Sequence, residues 1–351
     1  MDIDALPTIL DVVEMVSSWE NELILPMVST VPSSEYYDEG RYCYVSEQHN
    51  RQMVHLMPVS QSPFIFYRGQ SRYHEPCIPT LYRGLKSEAI TAELEVAANR
   101  IKICEFAALL EKHSVFQEVG RNLCVDPVAL AQHYGLSTEY LDITNSKWVA
   151  AFFACTGYDS DTDSYYPVGR DYGEGYGVLY YAKFKDHLMP EEFLEKNGVI
   201  GYQYFARPTK QSSFGFRMEK GDDFNTSPYF EKIFFRHDMT ASQIVYDMSY
   251  KQNRFIPKDE LSKLAREIKL SNEVTRADII SCWMNYYQDT SPNFLDEACV
   301  YKQWRIREDN MPVVAFSDAQ IEADWKMWNE YGRADIKSRI LPIRPVAVLN
   351  L

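Results

Sequence analysis

Arg68 is the first residue in the chain whose type and position suit it to chemistry. It lies near the end of the apolar run SPFIFYRG at residues 62–69, and Gln70 follows that run. The run predicts a buried strand, where an arginine is costly unless it finds an anionic partner. Its planar guanidinium can hold a phosphate or carboxylate through two hydrogen bonds. Gly69 allows another backbone or a ligand to approach closely. Two interpretations stay open: Arg68 clamps a phosphate or nucleotide, or it pairs with a core aspartate.

A second polar segment, AQHYGLSTEYLDIT, occupies residues 131–144. Gln132 and His133 fall in the last turn of a predicted helix, where a histidine often only bonds free carbonyl groups. Asp142 is suited to capping a helix and is also the obvious partner for Arg68. Polar groups embedded in apolar elements must find partners. We therefore expect Arg68, Gln70, His133 and Asp142 to converge on one pocket.

Local patterns indicate the elements that position these segments. Residues 88–118 have the longest helical pattern. Asp126 and Pro127 predict the start of another helix, because aspartate accepts free amide hydrogens and proline suits the first turn. Gly135 is a natural left-handed stop for that helix. A buried helix is expected to follow the second polar segment.

These elements predict an α+β fold with a mixed central sheet and flanking helices. Changes in pattern divide the chain into a helical N-terminal extension (1–61), a central domain (62–270) and a helical, Trp-rich C-terminal extension (271–351). The acidic, Gly- and Tyr-rich residues 157–176 predict a long loop that gates the pocket.

Composition narrows the class of protein. The 351 residues include 36 basic and 50 acidic side chains, a net charge of -14, which disfavours general nucleic-acid binding but not a small basic pocket. Asp2 and Asp4 stand where a signal peptide would carry basic residues, and no apolar run is long enough to span a membrane. Seven scattered cysteines indicate reduced thiols, and the histidine spacing indicates no metal site. We expect a cytoplasmic protein without membrane contact.

Together the segment around Arg68 and the segment at residues 131–144 resemble the FRG domain family of bacterial proteins, which is named for its F/Y-R-G motif. Tyr67-Arg68-Gly69 supplies that motif. The family's second motif is matched by Gln132, His133, Gly135, Thr138, Leu141, Asp142 and Thr144, followed by the helix segment at 151–154. The resemblance extends over residues 62–268. Glu139 departs from the family pattern, because it places an anion where an arginine is usual.

The aromatic-Arg-Gly strand is also similar to the first motif of ADP-ribosyltransferases, which implies an ADP-ribosyltransferase-like fold and NAD as the substrate, without a metal. This resemblance implies catalytic roles for His133, Gln211 and Glu219, with Glu231 as another glutamate at a usable distance. It implies nucleotide contacts from Tyr67, Arg68, Gly69, Gln70, Gln132, Thr138, Asp142 and Ser213.

Three functions stay open. The first is a transferase or glycohydrolase acting on NAD or a related nucleotide, as an effector in bacterial anti-phage defence or toxin systems. The second is a non-catalytic module that senses a nucleotide or protein and contacts a protein partner through the Trp-rich C-terminal region. The third is a buried structural network of Arg68, His133 and Asp142.

Overall fold

The computed structural model describes most of the chain. The described residues are 2–23, 41–46, 54–59, 65–85, 88–160, 162–184, 190–249, 255–257, 259–309, 311–334 and 340–341.

Helices and strands are interspersed along these residues. The helices are α1 Ile9–Leu23, α2 Ala89–Glu111, α3 Ser114–Gly120, α4 Pro127–His133, α5 Lys147–Ala154, α6 Glu191–Lys196, α7 Ala206–Lys210, α8 Met239–Ser249, α9 Glu260–Leu270, α10 Arg276–Tyr286, α11 Asn293–Tyr301 and α12 Asp318–Met327. The strands are β1 Arg41–Ser46, β2 Val54–Val59, β3 Ile65–Gln70, β4 Tyr140–Thr144, β5 Thr156–Asp159, β6 Ser164–Pro167, β7 Tyr176–Lys183, β8 Asn197–Val199, β9 Ser213–Arg217, β10 Glu231–Arg236, β11 Glu273–Thr275, β12 Arg305–Arg307 and β13 Ile340–Leu341.

A six-stranded sheet lies at the centre, in the order β10-β7-β3-β4-β9-β8, with helices packed around it. This confirms the α+β class. The prediction of a mixed sheet is wrong for the described strands, because each of its five pairings is antiparallel. Each connecting segment returns the chain so that neighbouring strands run in opposite directions. No pair here has the crossover that parallel strands need.

Helix α5 packs against β3 and fills one face of the sheet. Its alanine and phenylalanine side chains join Ile65 and Tyr67 in a buried cluster. Gly69 lies directly under α5, and a Cβ built there would stand 1.8 Å from the main-chain oxygen of Ala150. Ser146 caps the start of the helix, and its side chain accepts from the amide of Val149. This close packing fixes the position of the strand that carries Arg68.

Helix α4 has the predicted start and stop. The Asp126 side chain accepts from the amides of Val128 and Ala129, Pro127 occupies the first turn, and Gly135 has a φ of +80° just after the helix. The long helix predicted at 88–118 is divided into α2 and α3. His113 interrupts it, with an extended backbone and a ring that accepts from the amide of Phe116.

The two ends of the chain, predicted as helical, contain strands as well as helices. In place of a purely helical N-terminal extension, α1 is followed by β1 and β2, which form a three-stranded sheet with β13. Aromatic and β-branched residues in these two segments favour strands. Helix α1 belongs to the core of the central sheet, because Ile9, Val12 and Val16 are buried in the same cluster as β3 and α5. Helices α10 and α11 pack on α2.

Candidate functional site

Strands β3 and β4 share one registered pair, Tyr67 with Thr144, among the residues described. Beyond that pair, Nη1 of Arg68 donates a 2.7 Å hydrogen bond to the main-chain oxygen of Asp142. The Arg68 guanidinium therefore connects β3 to β4 at a point where the two described strands have no registered pair. A cavity of about 950 Å³ opens beside this point, lined by residues from β3, α4, β4, the β5–β6 hairpin and α9.

Arg68 is half-buried and does not form the predicted core ion pair. Its one hydrogen bond to a described residue goes to an uncharged carbonyl, and its Nε is buried without a hydrogen-bond partner in the described part of the chain. A buried donor without a partner is costly. The Arg68 guanidinium is therefore short of acceptors and faces a cavity that can admit one.

Gln132 holds the Asp142 carboxylate in a fixed orientation. Its amide nitrogen donates to Oδ2 of Asp142 at 3.2 Å, and its oxygen accepts from the Thr138 hydroxyl at 2.7 Å. Because an ionised carboxylate can only accept, the Gln132 amide nitrogen must point at Asp142, and the amide oxygen then faces the Thr138 hydroxyl. Thr138 is fully buried and acts behind the cavity rather than in its wall.

His133 is held from the other side by Gln211. The Gln211 amide nitrogen donates to the main-chain oxygen of Phe255 at 3.0 Å, so its oxygen faces Nδ1 of His133 at 3.3 Å. A carbonyl can only accept, and therefore the proton on a neutral His133 belongs on Nδ1. Thr144 fixes the Gln211 backbone through a 2.7 Å hydrogen bond to its carbonyl.

The other ring nitrogen of His133, Nε2, lies 3.3 Å from Oδ1 of Asp142. This distance permits an ion pair with a protonated ring, but the two atoms do not meet hydrogen-bond geometry, and both are buried without a partner among the residues described. Burial lowers the pKa of His133, and the Asp142 charge and the Gln211 hydrogen bond oppose this only in part. The ring is therefore neutral near pH 7.

The sequence comparison with protein families identifies this region. Residues 63–163 match the FRG domain. The chain contains an FRG domain. The matched residues include both motifs, and therefore Arg68, Gln132, His133 and Asp142. No curated protein and no solved structure matches the chain.

The cavity of the FRG domain is strongly cationic in an otherwise acidic protein. Two carboxylates, Asp142 and Asp163, line it. Its cationic side chains are Arg68, Arg72, Arg83, Arg207, Arg266 and Lys269. The FRG match supplies the first three, and later segments supply the others.

These cations are not neutralised by carboxylates. Five of them donate to main-chain oxygens, those of Asp142, Ile78, His133, Ser160 and Gly135. Arg72 instead lies over the Tyr172 ring, at 4.5 Å from its centre. Within the described ranges, none of the six forms an ion pair. Burial, followed by repulsion from Arg68, lowers the pKa of Arg83, as expected where positive charges are concentrated.

Aromatic rings form much of the remaining wall. They are Tyr67, Tyr134, Phe153, Tyr158, Tyr165, Tyr166 and Tyr172. Three of them come from the β5–β6 hairpin, in the segment predicted as an irregular loop. The Tyr158 and Tyr165 rings lie 5.0 Å apart across the two strands, and such cross-strand aromatic pairs stabilise a hairpin. The role of residues 157–176 in gating the cavity stays a prediction.

Most of the predicted site residues lie together. The cavity is lined by Tyr67, Arg68, Gly69, Gln70, Gln132, His133, Asp142, Gln211 and Ser213. Glu219 is different: it occupies an exposed turn after β9 and is absent from the described lining. Glu231, at the start of β10, accepts from the Tyr181 hydroxyl at an exposed position.

Sequence reasoning missed the cations contributed by α9. Arg266 and Lys269 lie on α9, whose amphipathic pattern indicated a helix but not a direction toward the cavity. Among the described residues, no group of His, Cys, Asp or Glu is arranged to hold a metal ion, and none of the helices found there could cross a membrane.

Acid is expected to destabilise the fold through its buried histidines. Burial lowers the pKa of His133 and His237 below the ordinary value of about 6.5. The unfolded chain therefore takes up these protons first, so this contribution is complete above about pH 6.5 and declines as the pH falls through that value toward the folded pKa values.

The check is the melting temperature between pH 8 and pH 5. We expect it to fall with acidification, and less steeply in a His133→Gln, His237→Gln double variant. An unchanged slope in that variant would show that other groups cause the acid sensitivity.

Proposed function

We propose that the FRG-domain cavity binds NAD or a related nucleotide through its phosphates. The observation that carries the proposal is the excess of six cationic side chains over two carboxylates in one cavity, with none of the six paired to a carboxylate in the described structure. Arginines with uncommitted donors suit phosphate oxygens. The aromatic wall offers surfaces on which a planar base can stack.

The reaction that fits this substrate is transfer or hydrolysis at a ribosyl bond, as in ADP-ribosyltransferases and NAD glycohydrolases. Arg68 would bind the pyrophosphate, and His133 and Asp142 are the titratable pair beside it. The FRG resemblance suggests that such an effector serves bacterial defence against phage or a toxin system.

A second candidate is a non-catalytic module that senses the same nucleotide. One observation favours it: glutamate, which orients the ribose in ADP-ribosyltransferases, is not found among the described residues lining the cavity. In this alternative the C-terminal helices, packed on α2, would transmit the signal to a protein partner.

Binding and turnover measured side by side distinguish the two candidates. We expect calorimetry to detect NAD and ADP binding that weakens as salt concentration rises, because phosphate contacts are screened. Release of nicotinamide from NAD identifies the enzyme, and binding without release identifies the sensor. If the protein neither binds nor consumes NAD or ADP at low salt, both candidates are wrong.

A pair of charge variants tests where the nucleotide binds. Arg266→Gln removes a cation from the cavity wall and should raise the dissociation constant for ADP about threefold, the size expected for one exposed charge. Arg121→Gln removes a cation that is also exposed but lies outside the cavity, where it pairs with Glu118. It should leave the constant unchanged, and an equal effect of both variants would indicate nonspecific attraction.

A further inference from the structure

Two acceptor atoms that have no hydrogen-bond partner among the described residues lie side by side on residues that line the cavity: Nε2 of His133 and Oδ1 of Asp142, 3.3 Å apart. The Gln211 oxygen holds the proton of His133 on Nδ1, which leaves a lone pair on Nε2. Gln132 holds the other oxygen of Asp142, so the carboxylate cannot turn away. The surrounding hydrogen bonds thus force two acceptors toward each other.

Such a pair lacks donors among the described residues, and a bound ligand can supply them. The side chain of His133 is 3% exposed, so the cost of leaving its nitrogen without a donor is high. Protonation of the ring would supply one proton, but burial disfavours the charged form, and the two atoms lack hydrogen-bond geometry. A ligand with two adjacent donors would satisfy both atoms at once.

The surrounding charge decides which donors fit. A ligand ammonium group would be repelled by Arg68, Arg83, Arg207 and the other cavity cations. A phosphate cannot approach, because it offers only acceptors to an acceptor pair. Neutral hydroxyl groups meet neither obstacle. A ligand that carries adjacent hydroxyl groups and phosphates would place its hydroxyls on this pair and its phosphates on the arginines.

We propose that His133 Nε2 and Asp142 Oδ1 accept hydrogen bonds from the 2′- and 3′-hydroxyl groups of a ribonucleoside diphosphate. The cavity thereby selects ribonucleotides over 2′-deoxyribonucleotides. This inference rests on the proposed nucleotide function and adds the recognition of the sugar. The aromatic wall favours a nucleotide over a simple sugar phosphate, because a base can stack there.

Calorimetric titration with ADP and 2′-deoxy-ADP at pH 8 tests the selection. The two ligands share the base and both phosphates, and they differ by one hydroxyl group. We expect ADP to bind at least tenfold more tightly, because one of the two buried acceptor atoms loses its donor in the deoxy complex. Equal affinities would overturn the inference and leave the nucleotide proposal standing. If neither ligand binds, the nucleotide proposal itself is wrong.

Asp142→Asn assigns the preference to this pair. Gln132 donates to the oxygen end of the new amide, which turns the amide nitrogen toward Nε2 of His133 and satisfies it. The preference for ADP should then fall below about threefold.

Asp163→Asn is the matched control, because it removes the other cavity carboxylate, which accepts from Tyr158. It should keep the preference for ADP. A preference that survives Asp142→Asn, or that Asp163→Asn also abolishes, would overturn the assignment.

Discussion

A Gly69→Ala variant is expected to lose about 3 kcal/mol or more of folding free energy, or to fail to accumulate as folded protein. The new Cβ would lie 1.8 Å from the oxygen and 2.7 Å from the carbon of the Ala150 carbonyl, and 2.9 Å from the Ala154 amide nitrogen. All three are main-chain atoms of α5, so no side chain can rotate to make room. The helix would have to move off the sheet, and the cluster around Tyr67 would open.

Gly120→Ala is the matched control for this prediction. Gly120 ends α3, and a Cβ built there has no neighbour within 4 Å. Alanine restricts the unfolded chain, so we expect a change between zero and a gain of about 1 kcal/mol. Urea unfolding of the two variants gives the comparison. A Gly69→Ala protein as stable as the control would mean that α5 does not pack on β3 as described.

The glycine of the F/Y-R-G motif shows how far sequence reasoning reached. The sequence predicts that something approaches Gly69 closely, and it leaves open whether this is a backbone or a ligand. The structure places the α5 backbone there. The interpretation depended on a contact between residues about 80 positions apart, which no local pattern specifies. The sequence does predict that α5 is buried, because its own residues are apolar on nearly every side.

Features that depend on adjacent residues were predictable. The start of α4 at Pro127 and the stop near Gly135 follow from hydrogen bonds and dihedral angles within a few residues. The convergence of Arg68 and Asp142 was also predictable in outline, because buried polar groups need partners. Its form was not, since the splay between β3 and β4 gives Arg68 the carbonyl of Asp142 rather than its carboxylate.

Features that depend on long-range folding were missed. The positive charge of the cavity comes partly from Arg266 and Lys269 on α9, which are far from Arg68 and Asp142 in sequence. The net charge of -14 even points the other way. The tyrosine hairpin was missed because its acidic, glycine-rich sequence is typical of an irregular loop.

Arg68→Lys should weaken ADP binding tenfold or more while the folding free energy changes by about 1 kcal/mol or less. Lysine keeps the charge and can still reach the Asp142 carbonyl, but it loses the planar donor fork that grips a phosphate. One lost charge-assisted hydrogen bond contributes about 1.5–3 kcal/mol, which corresponds to the expected fold-change. Calorimetry with ADP and thermal unfolding of the same samples give the two quantities.

Arg217→Lys controls for the substitution itself, because Arg217 is exposed at the end of β9 and lies outside the cavity, 4.0 Å from Glu139. It should leave both quantities unchanged. Because Arg68 contacts the main chain of Asp142, Asp142→Asn should not reproduce any instability of the Arg68 variant. An Arg68→Lys protein that melts early yet binds ADP as tightly as wild type would make Arg68 a brace across the splayed strands. The cavity would then lack the arginine expected to bind the phosphates, and the nucleotide proposal would lose its main support.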